Sequence, residues 1–333
     1  RHAMRAAYID RVGPPESIRV GELPDPQPHG AEVLVRVRAV SVNPIAAYVR
    51  SGAAPLPLPT PFVVGSDLAG VVAAVGPGVR GFKVGDRVWG ANQGVLGRQG
   101  TFSELAVIDQ EWLYPTPDGV ADEAAAAFAL VGITAHLGLV DRARLQPGEA
   151  IVVNGGGGAV GTSVIQIARL LGAQVIAVTS SAAKAESCRA LGAQHVLDYR
   201  TDDVPARVTE IVPGGAAVWW ETSAQPNFDK MAAALGRHGR IILMAGRASR
   251  PEFPVGPFYT KCCSMLGFAM FLMPADAQRR AAEEINRWMA AGDIRPAIDR
   301  VATLEDTPEL HRLQEENTLR CGGVVRGKLV VAM

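Results

Sequence analysis

The run Ile151-Val152-Val153-Asn154-Gly155-Gly156-Gly157-Gly158-Ala159-Val160-Gly161 decides the fold. Its three apolar β-branched residues read as a buried strand, and Gly156, Gly158 and Gly161 follow at G-x-G-x-x-G spacing where a helix should begin. Glycine permits the tight turn and lets backbone approach a pyrophosphate, whose charge then rests on free N–H groups at the helix N-terminus. Flexible loops also use glycine, so the motif counts through its setting, a strand-turn-helix-strand unit of about 30 residues.

Downstream, short apolar runs at 175–178, 195–197, 217–220, 241–244 and 265–268 alternate with helical patterns at 160–171, 182–191 and 227–235. Gly172, Gly192 and Gly236 stand just past these helices, where a C-cap belongs. Six strands with intervening helices predict a doubly wound parallel sheet. The tip of its second strand chooses between a ribose 2′-hydroxyl and a 2′-phosphate. Here it reads Thr179-Ser180-Ser181-Ala182-Ala183-Lys184 and holds no carboxylate. Hydroxyls, a helix N-terminus and Lys184 make an anion site, so the expected cofactor is NADPH.

Upstream the pattern differs. Ten of the 23 prolines fall in the first 61 residues, among alternating runs such as Glu32-Val33-Leu34-Val35-Arg36-Val37-Arg38. Further strands are expected at 71–75, 87–89 and 105–108, which makes this part mostly β. After residue 268 a helix is expected at 275–291, followed by short pieces that complete the first domain. The predicted division is 1–125 with 269–333 for the first domain and 126–268 for the second.

Composition bounds the rest. At about 150 residues per domain, 333 residues suggest two domains. The 33 basic residues balance 33 acidic ones, so nothing advertises nucleic acid or an acidic membrane. Cys188, Cys262, Cys263 and Cys321 are scattered, unlike a disulfide framework or zinc knuckle, and suggest reduced thiols in a cytoplasmic protein. Residues 124–140 are apolar but short for a membrane span and read as a buried helix. Arg1-His2-Ala3-Met4 reads as an expression remnant before a start at Met4.

Several stretches carry a family resemblance: Val64-Gly65-Ser66-Asp67-Leu68-Ala69-Gly70-Val71-Val72, Phe82-Lys83-Val84-Gly85-Asp86-Arg87-Val88, Ser41-Val42-Asn43-Pro44, the glycine turn, Leu191-Gly192-Ala193 and Gly327-Lys328. Together they closely resemble the medium-chain dehydrogenase/reductase superfamily, in its zinc-free quinone oxidoreductase (zeta-crystallin-like) branch. That resemblance implies a GroES-like mostly β domain, a Rossmann domain with a six-stranded doubly wound sheet, NADPH bound in the cleft between them, and a homodimer. Zinc-dependent relatives carry Cys where this chain has Asn43 and His-Glu where it has Ser66-Asp67, and no cysteine falls within 91–99 where their structural zinc lobe would lie. Without a Lewis acid, hydride addition to the β-carbon of an enone, enal or quinone is the natural chemistry.

The resemblance also places residues. Asn43 falls near the nicotinamide, with donor and acceptor to offer a ligand, and Tyr48 falls at the substrate pocket, where it either protonates an enolate or packs. An acidic residue and a second tyrosine common in the family are Ala46 and Ala54 here, which leaves water as an alternative proton donor. The implied cofactor surface comprises Asn43, Gly155, Gly156, Gly157, Gly158, Ala159, Val160, Gly161, Thr179, Ser180, Ser181, Lys184, Tyr199, Gly246, Phe268 and Lys328, with Arg200 either adding charge or lying on the surface. Residues 258–271, with Met265, Met270 and Met273, line the cleft or belong to the core. His136, His195 and His238 lack partner motifs, and Trp219 and Trp220 have no role beyond packing. The expected function is an NADPH-dependent reductase of a quinone or enone. Its alternatives are a catalytically quiet NADPH-binding protein of crystallin type and a zinc-independent alcohol dehydrogenase-like oxidoreductase.

Overall fold

The computed structural model describes residues 3–320 and 322–333. Arg1, His2 and Cys321 lie outside them, while Ala3 and Met4 open the first strand. In chain order the strands are β1 Ala3–Ile9, β2 Arg19–Pro24, β3 Glu32–Ser41, β4 Phe62–Val63, β5 Leu68–Val75, β6 Arg87–Gly90, β7 Leu105–Asp109, β8 Leu113–Pro115, β9 Ala150–Asn154, β10 Gln174–Thr179, β11 His195–Asp198, β12 Ala216–Glu221, β13 Leu235–Leu243, β14 Ser264–Gly267, β15 Ile298–Ala302 and β16 Lys328–Ala332. The α-helices are α1 Pro44–Ser51, α2 Asp122–His136, α3 Ala159–Leu170, α4 Ala182–Ala190, α5 Val204–Ile211, α6 Phe228–Ala234, α7 Val255–Thr260, α8 Ala275–Ala291 and α9 Thr307–Leu319. Two compact units result, Arg1–Ile133 with Pro274–Met333, and Thr134–Met273.

In the second unit all six strands run parallel in the order β11-β10-β9-β12-β13-β14. The order reverses direction between β10 and β12, with β9 at the centre, and the carboxyl ends beside this reversal are where α/β sheets place ligands. Ile151, Val152 and Val153 are fully buried because both sheet faces are covered, which is why β9 is continuously apolar. Gly172 and Gly192 take positive φ after α3 and α4, as C-capping requires. Gly236 departs from that expectation. It lies inside β13, with backbone O atoms of Gly214 and Gly215 at 2.4 and 3.2 Å from the site of a Cβ, so close backbone approach explains it.

The first unit holds the β2-β1-β4 sheet and a seven-stranded sheet in the order β15-β16-β3-β5-β6-β8, with β7 also pairing β3. Strand β16 pairs antiparallel with β3, so the chain's last strand returns beside one of its first. Sequence patterning missed α1, α5, α7 and α9; the first three are only six to eight residues long, and α9 is rich in polar residues. Helix α9 carries His311, fully buried against the Phe102 ring at 6.1 Å, and among the described residues neither ring nitrogen has a hydrogen-bond partner. Nearby on α1, the fully buried Arg50 binds the Gly13 carbonyl and the Glu315 carboxylate. Burial, and secondarily the Arg50 charge, push the His311 pKa down to about 3.

The apolar segment is longer than its sequence suggests. Helix α2 continues as a π-helix over Leu137–Arg142, and the combined Asp122–Arg142 is long and apolar enough to cross a bilayer, at mean hydropathy 1.6. Most of it, 78% of its apolar window, is buried inside the protein, so a core position accounts for its composition. Phe258, Cys263 and Met265 pack against the sheet core, and Phe228, Phe253 and Phe258 form an edge-on aromatic chain. Cys188, Cys262 and Cys263 are free thiols.

Candidate functional site

The glycine turn begins where β9 ends. The N–H groups of Gly155 and Gly156 both donate to the Val178 carbonyl (3.1 and 3.0 Å), tying the turn to β10. Gly155 has φ +85°, and a Cβ there would lie 1.9 Å from Thr222 Oγ1, which itself donates to the Asn154 carbonyl at 2.7 Å. At Gly161 a Cβ would lie 2.2 Å from the Gly155 carbonyl oxygen. Gly157 passes beneath Lys184, whose stem atoms come within 2.8 Å of the position of a Cβ. Gly158 is less constrained, its nearest neighbour at 3.4 Å. The strict steric demands therefore fall on Gly155 and Gly161, of which the motif spacing named only the second.

Gly158 is the N-cap of α3 and makes no side-chain cap, so the amides of Ala159, Val160 and Gly161 begin the helix without intrahelical acceptors. A phosphate group fits such a cradle, since these donors and the helix dipole both favour an anion there. A side chain at Gly161 would collide with the loop itself, and one at Gly155 with Thr222 beyond β12.

At the tip of β10, Thr179 is buried, Ser180 and Ser181 follow, and the Ser181 hydroxyl caps α4 by accepting from Lys184 N at 3.2 Å. Tyr199 follows β11, 53% exposed, and its N–H donates to the Thr179 carbonyl. Arg200 is committed to Asp198 through Nε (3.0 Å) and Nη2 (2.7 Å), and these bonds hold the Asp198 carboxyl down at about 2. Gly246, at φ +75° beyond β13, lies close to the Ala224 carbonyl. Phe268 stands edge-on to Trp220 at 6.4 Å, and Gly138 makes room for both rings.

Sequence reasoning passed over Glu221, buried at the end of β12. Its carboxylate accepts from Asn154 Nδ2 (2.9 and 3.0 Å), Trp219 Nε1 (3.1 Å) and Ser223 N (2.6 Å). An acidic residue closing an apolar parallel strand was the available signal. This bonding anchors Asn154, the residue before the turn, and gives Trp219 a polar partner, while Trp220 donates to Met244 Sδ.

The first unit contains a buried polar cluster. Asp67 Oδ1 accepts from Ser41 N (2.7 Å), and its Oδ2 accepts from Ser41 Oγ (2.7 Å) and Asn43 Nδ2 (2.6 Å). Lys328 Nζ donates to the Val42 carbonyl (2.8 Å) and to Asn43 Oδ1. Burial raises the Asp67 pKa, partly offset by the Lys328 charge, and lowers that of Lys328 to about 8, partly offset by Asp67. The Asn43 side chain is thus engaged internally at both ends, and Lys328 is 2% exposed with its ammonium turned into the protein. Asn43 also precedes α1, which carries the half-buried Tyr48, while Ala46 and Ala54 are buried. Among the described residues no group of three or more His, Cys, Asp or Glu is placed to hold a metal ion.

Known proteins match both units. The alcohol dehydrogenase GroES-like domain family matches residues 29–118, and the family described as zinc-binding dehydrogenase matches 159–287. A quinone oxidoreductase from Pseudomonas aeruginosa is 33% identical over 315 residues, covering 92% of this chain and 93% of that protein. Among solved structures, an NAD-dependent alcohol dehydrogenase is 33% identical with a TM-score of 0.88, covering 99% of this chain and all of that one. A mycobacterial protein complexed with NADPH is 28% identical with a TM-score of 0.86 over 99% of this chain and all of that one. The fold is therefore a GroES-like mostly β domain joined to a Rossmann-type sheet, the architecture of NAD(P)-dependent oxidoreductases. The chain belongs to the zinc-independent medium-chain dehydrogenase/reductase superfamily, in its quinone-oxidoreductase-like branch.

Proposed function

We propose that this protein is an NADPH-dependent reductase of quinones or α,β-unsaturated carbonyl compounds that works without zinc. The observation that carries this reading is the glycine turn, closed by Gly155 and Gly161 and overlain by the stem of Lys184. When bound, reduced nicotinamide supplies the hydride that adds to the substrate's β-carbon or quinone ring. The amides at the start of α3 hold the pyrophosphate, and Ser180 and Lys184 attract the 2′-phosphate. The mycobacterial relative bound to NADPH supports this cofactor, whereas the NAD-dependent alcohol dehydrogenase makes the choice one to measure.

In this reading Tyr48 donates a hydrogen bond or proton to the enolate oxygen. Asn43 acts from a fixed orientation set by Asp67 and Lys328. Asn43 and Asp67 occupy positions where the resemblance puts ligands of zinc-dependent relatives, and here Asn43 bonds Asp67 and Lys328 instead. The buried alanines at 46 and 54 favour a second reading, a protein that binds NADPH without turnover.

Absorbance of NADPH followed against a panel of quinones, enals, enones and saturated ketones separates these readings. Oxidation with the conjugated substrates and little with saturated ketones is expected. Tight NADPH binding without oxidation of any substrate would establish the quiet protein, and exclusive use of NADH would overturn the cofactor assignment.

A further inference from the structure

Asp198 ends β11 and pairs in parallel register with Thr179, the last residue of β10. It therefore stands one strand away, about 5 Å, from the tip where dinucleotide folds discriminate a 2′-hydroxyl from a 2′-phosphate. A carboxylate in this position opposes a phosphate. The loop Asp198-Tyr199-Arg200-Thr201-Asp202-Asp203 carries three carboxylates and a single cation. Asp203 caps α5 through Ala206 N, and Asp202 Oδ2 accepts from Asp198 N at 2.7 Å. The Asp198 carboxylate accepts from Arg200 three times: from its N–H at 2.9 Å, Nε at 3.0 Å and Nη2 at 2.7 Å. The guanidinium fork is thus directed at Asp198 while the Arg200 side chain remains 56% exposed.

We infer that Arg200 sets cofactor preference indirectly, by neutralising Asp198 so that the 198–203 loop does not repel the 2′-phosphate drawn in by Lys184. This rests on the NADPH reading and deepens it. One unmasked carboxylate about 6 Å from a phosphate dianion, in a dielectric near that of water, weakens binding by about tenfold at low ionic strength. Salt near 0.5 M screens most of that effect, since the Debye length is then only about 4 Å.

The test measures dissociation constants of 2′,5′-ADP and 5′-ADP at low ionic strength for the wild type, Arg200→Ala, Asp198→Asn and the double variant. Arg200→Ala should lose about tenfold for 2′,5′-ADP and about twofold or less for 5′-ADP, with the loss shrinking in high salt. Asp198→Asn alone should bind at least as well as the wild type, and the double variant should return to within about threefold of it. A double variant as weak as Arg200→Ala would overturn the inference, because Arg200 would then touch the phosphate itself, and so would an unaffected Arg200→Ala. A wild type that does not favour 2′,5′-ADP over 5′-ADP overturns the NADPH reading as well, whereas preference without rescue overturns only the masking.

Discussion

Replacing Lys328 by Met tests whether the buried cluster around Asn43 is an electrostatic unit or ordinary core. Met keeps most of the stem volume but removes the ammonium, so Asp67, fully buried, loses its counter-charge, and the Val42 carbonyl and Asn43 Oδ1 lose a donor. Removing one partner of a buried pair costs about 3–5 kcal/mol. In a unit of this size each kcal/mol shifts Tm by roughly 2–4 °C, so a fall of about 6–20 °C is expected.

The pH dependence supplies a second signature. Burial already raises the Asp67 pKa above 3.8, and the Lys328 charge is the largest influence lowering it, so the variant should raise it further. The folded variant then holds a proton that the unfolded chain has released. Its stability deficit relative to wild type is smallest in acid, where both folded proteins hold Asp67 protonated, and grows as pH rises between the wild-type and the still higher variant folded-state pKa, both above 3.8. Calorimetry from pH 4 to 8 reads this directly, and Asp67→Asn combined with Lys328→Met should be less damaged than the two single losses added together. Melting within about 2 °C of wild type at pH 7 would refute the reasoning, since it would mean that Asp67 needs no partner.

Lys184→Ala should weaken NADPH binding by about 1–3 kcal/mol while barely changing NADH, as titration of each cofactor would show; equal losses would remove Lys184 from the 2′-phosphate. Tyr48→Phe should lower kcat on an enone by about 100-fold or more with NADPH affinity unchanged in single-turnover and binding measurements, and a wild-type rate would assign the proton to water. His311 has its folded pKa depressed from 6.5 to about 3, so the stability it contributes is present above 6.5 and is lost as pH falls through that window. Urea unfolding should therefore show a shallower loss of stability between pH 7 and 5 for His311→Leu than for wild type. Parallel curves would show that His311 protonates without cost.

The sequence by itself determined the Rossmann sheet and the glycine turn, because both are local. Apolar runs of strand length, helices closed by Gly172 and Gly192, and the fixed spacing of Gly156, Gly158 and Gly161 are each legible within about 30 residues. Helix α9 was not legible because its few apolar positions leave only a weak helical period, and Gly236 misled because a C-cap glycine and a glycine needed for strand packing look identical in sequence. The partnerships were invisible for a different reason. Lys328 meets Asn43 across 285 positions of chain, Asp67 meets Ser41 across 26, and Glu221 meets Asn154 across 67. Residue type showed that Asn43 and Lys328 carry polar groups, and the resemblance placed both toward the cofactor. Only the tertiary structure decided that their side chains spend those groups on each other and on Asp67. A buried charge must find its partner wherever the fold brings one, and sequence distance places no limit on that choice.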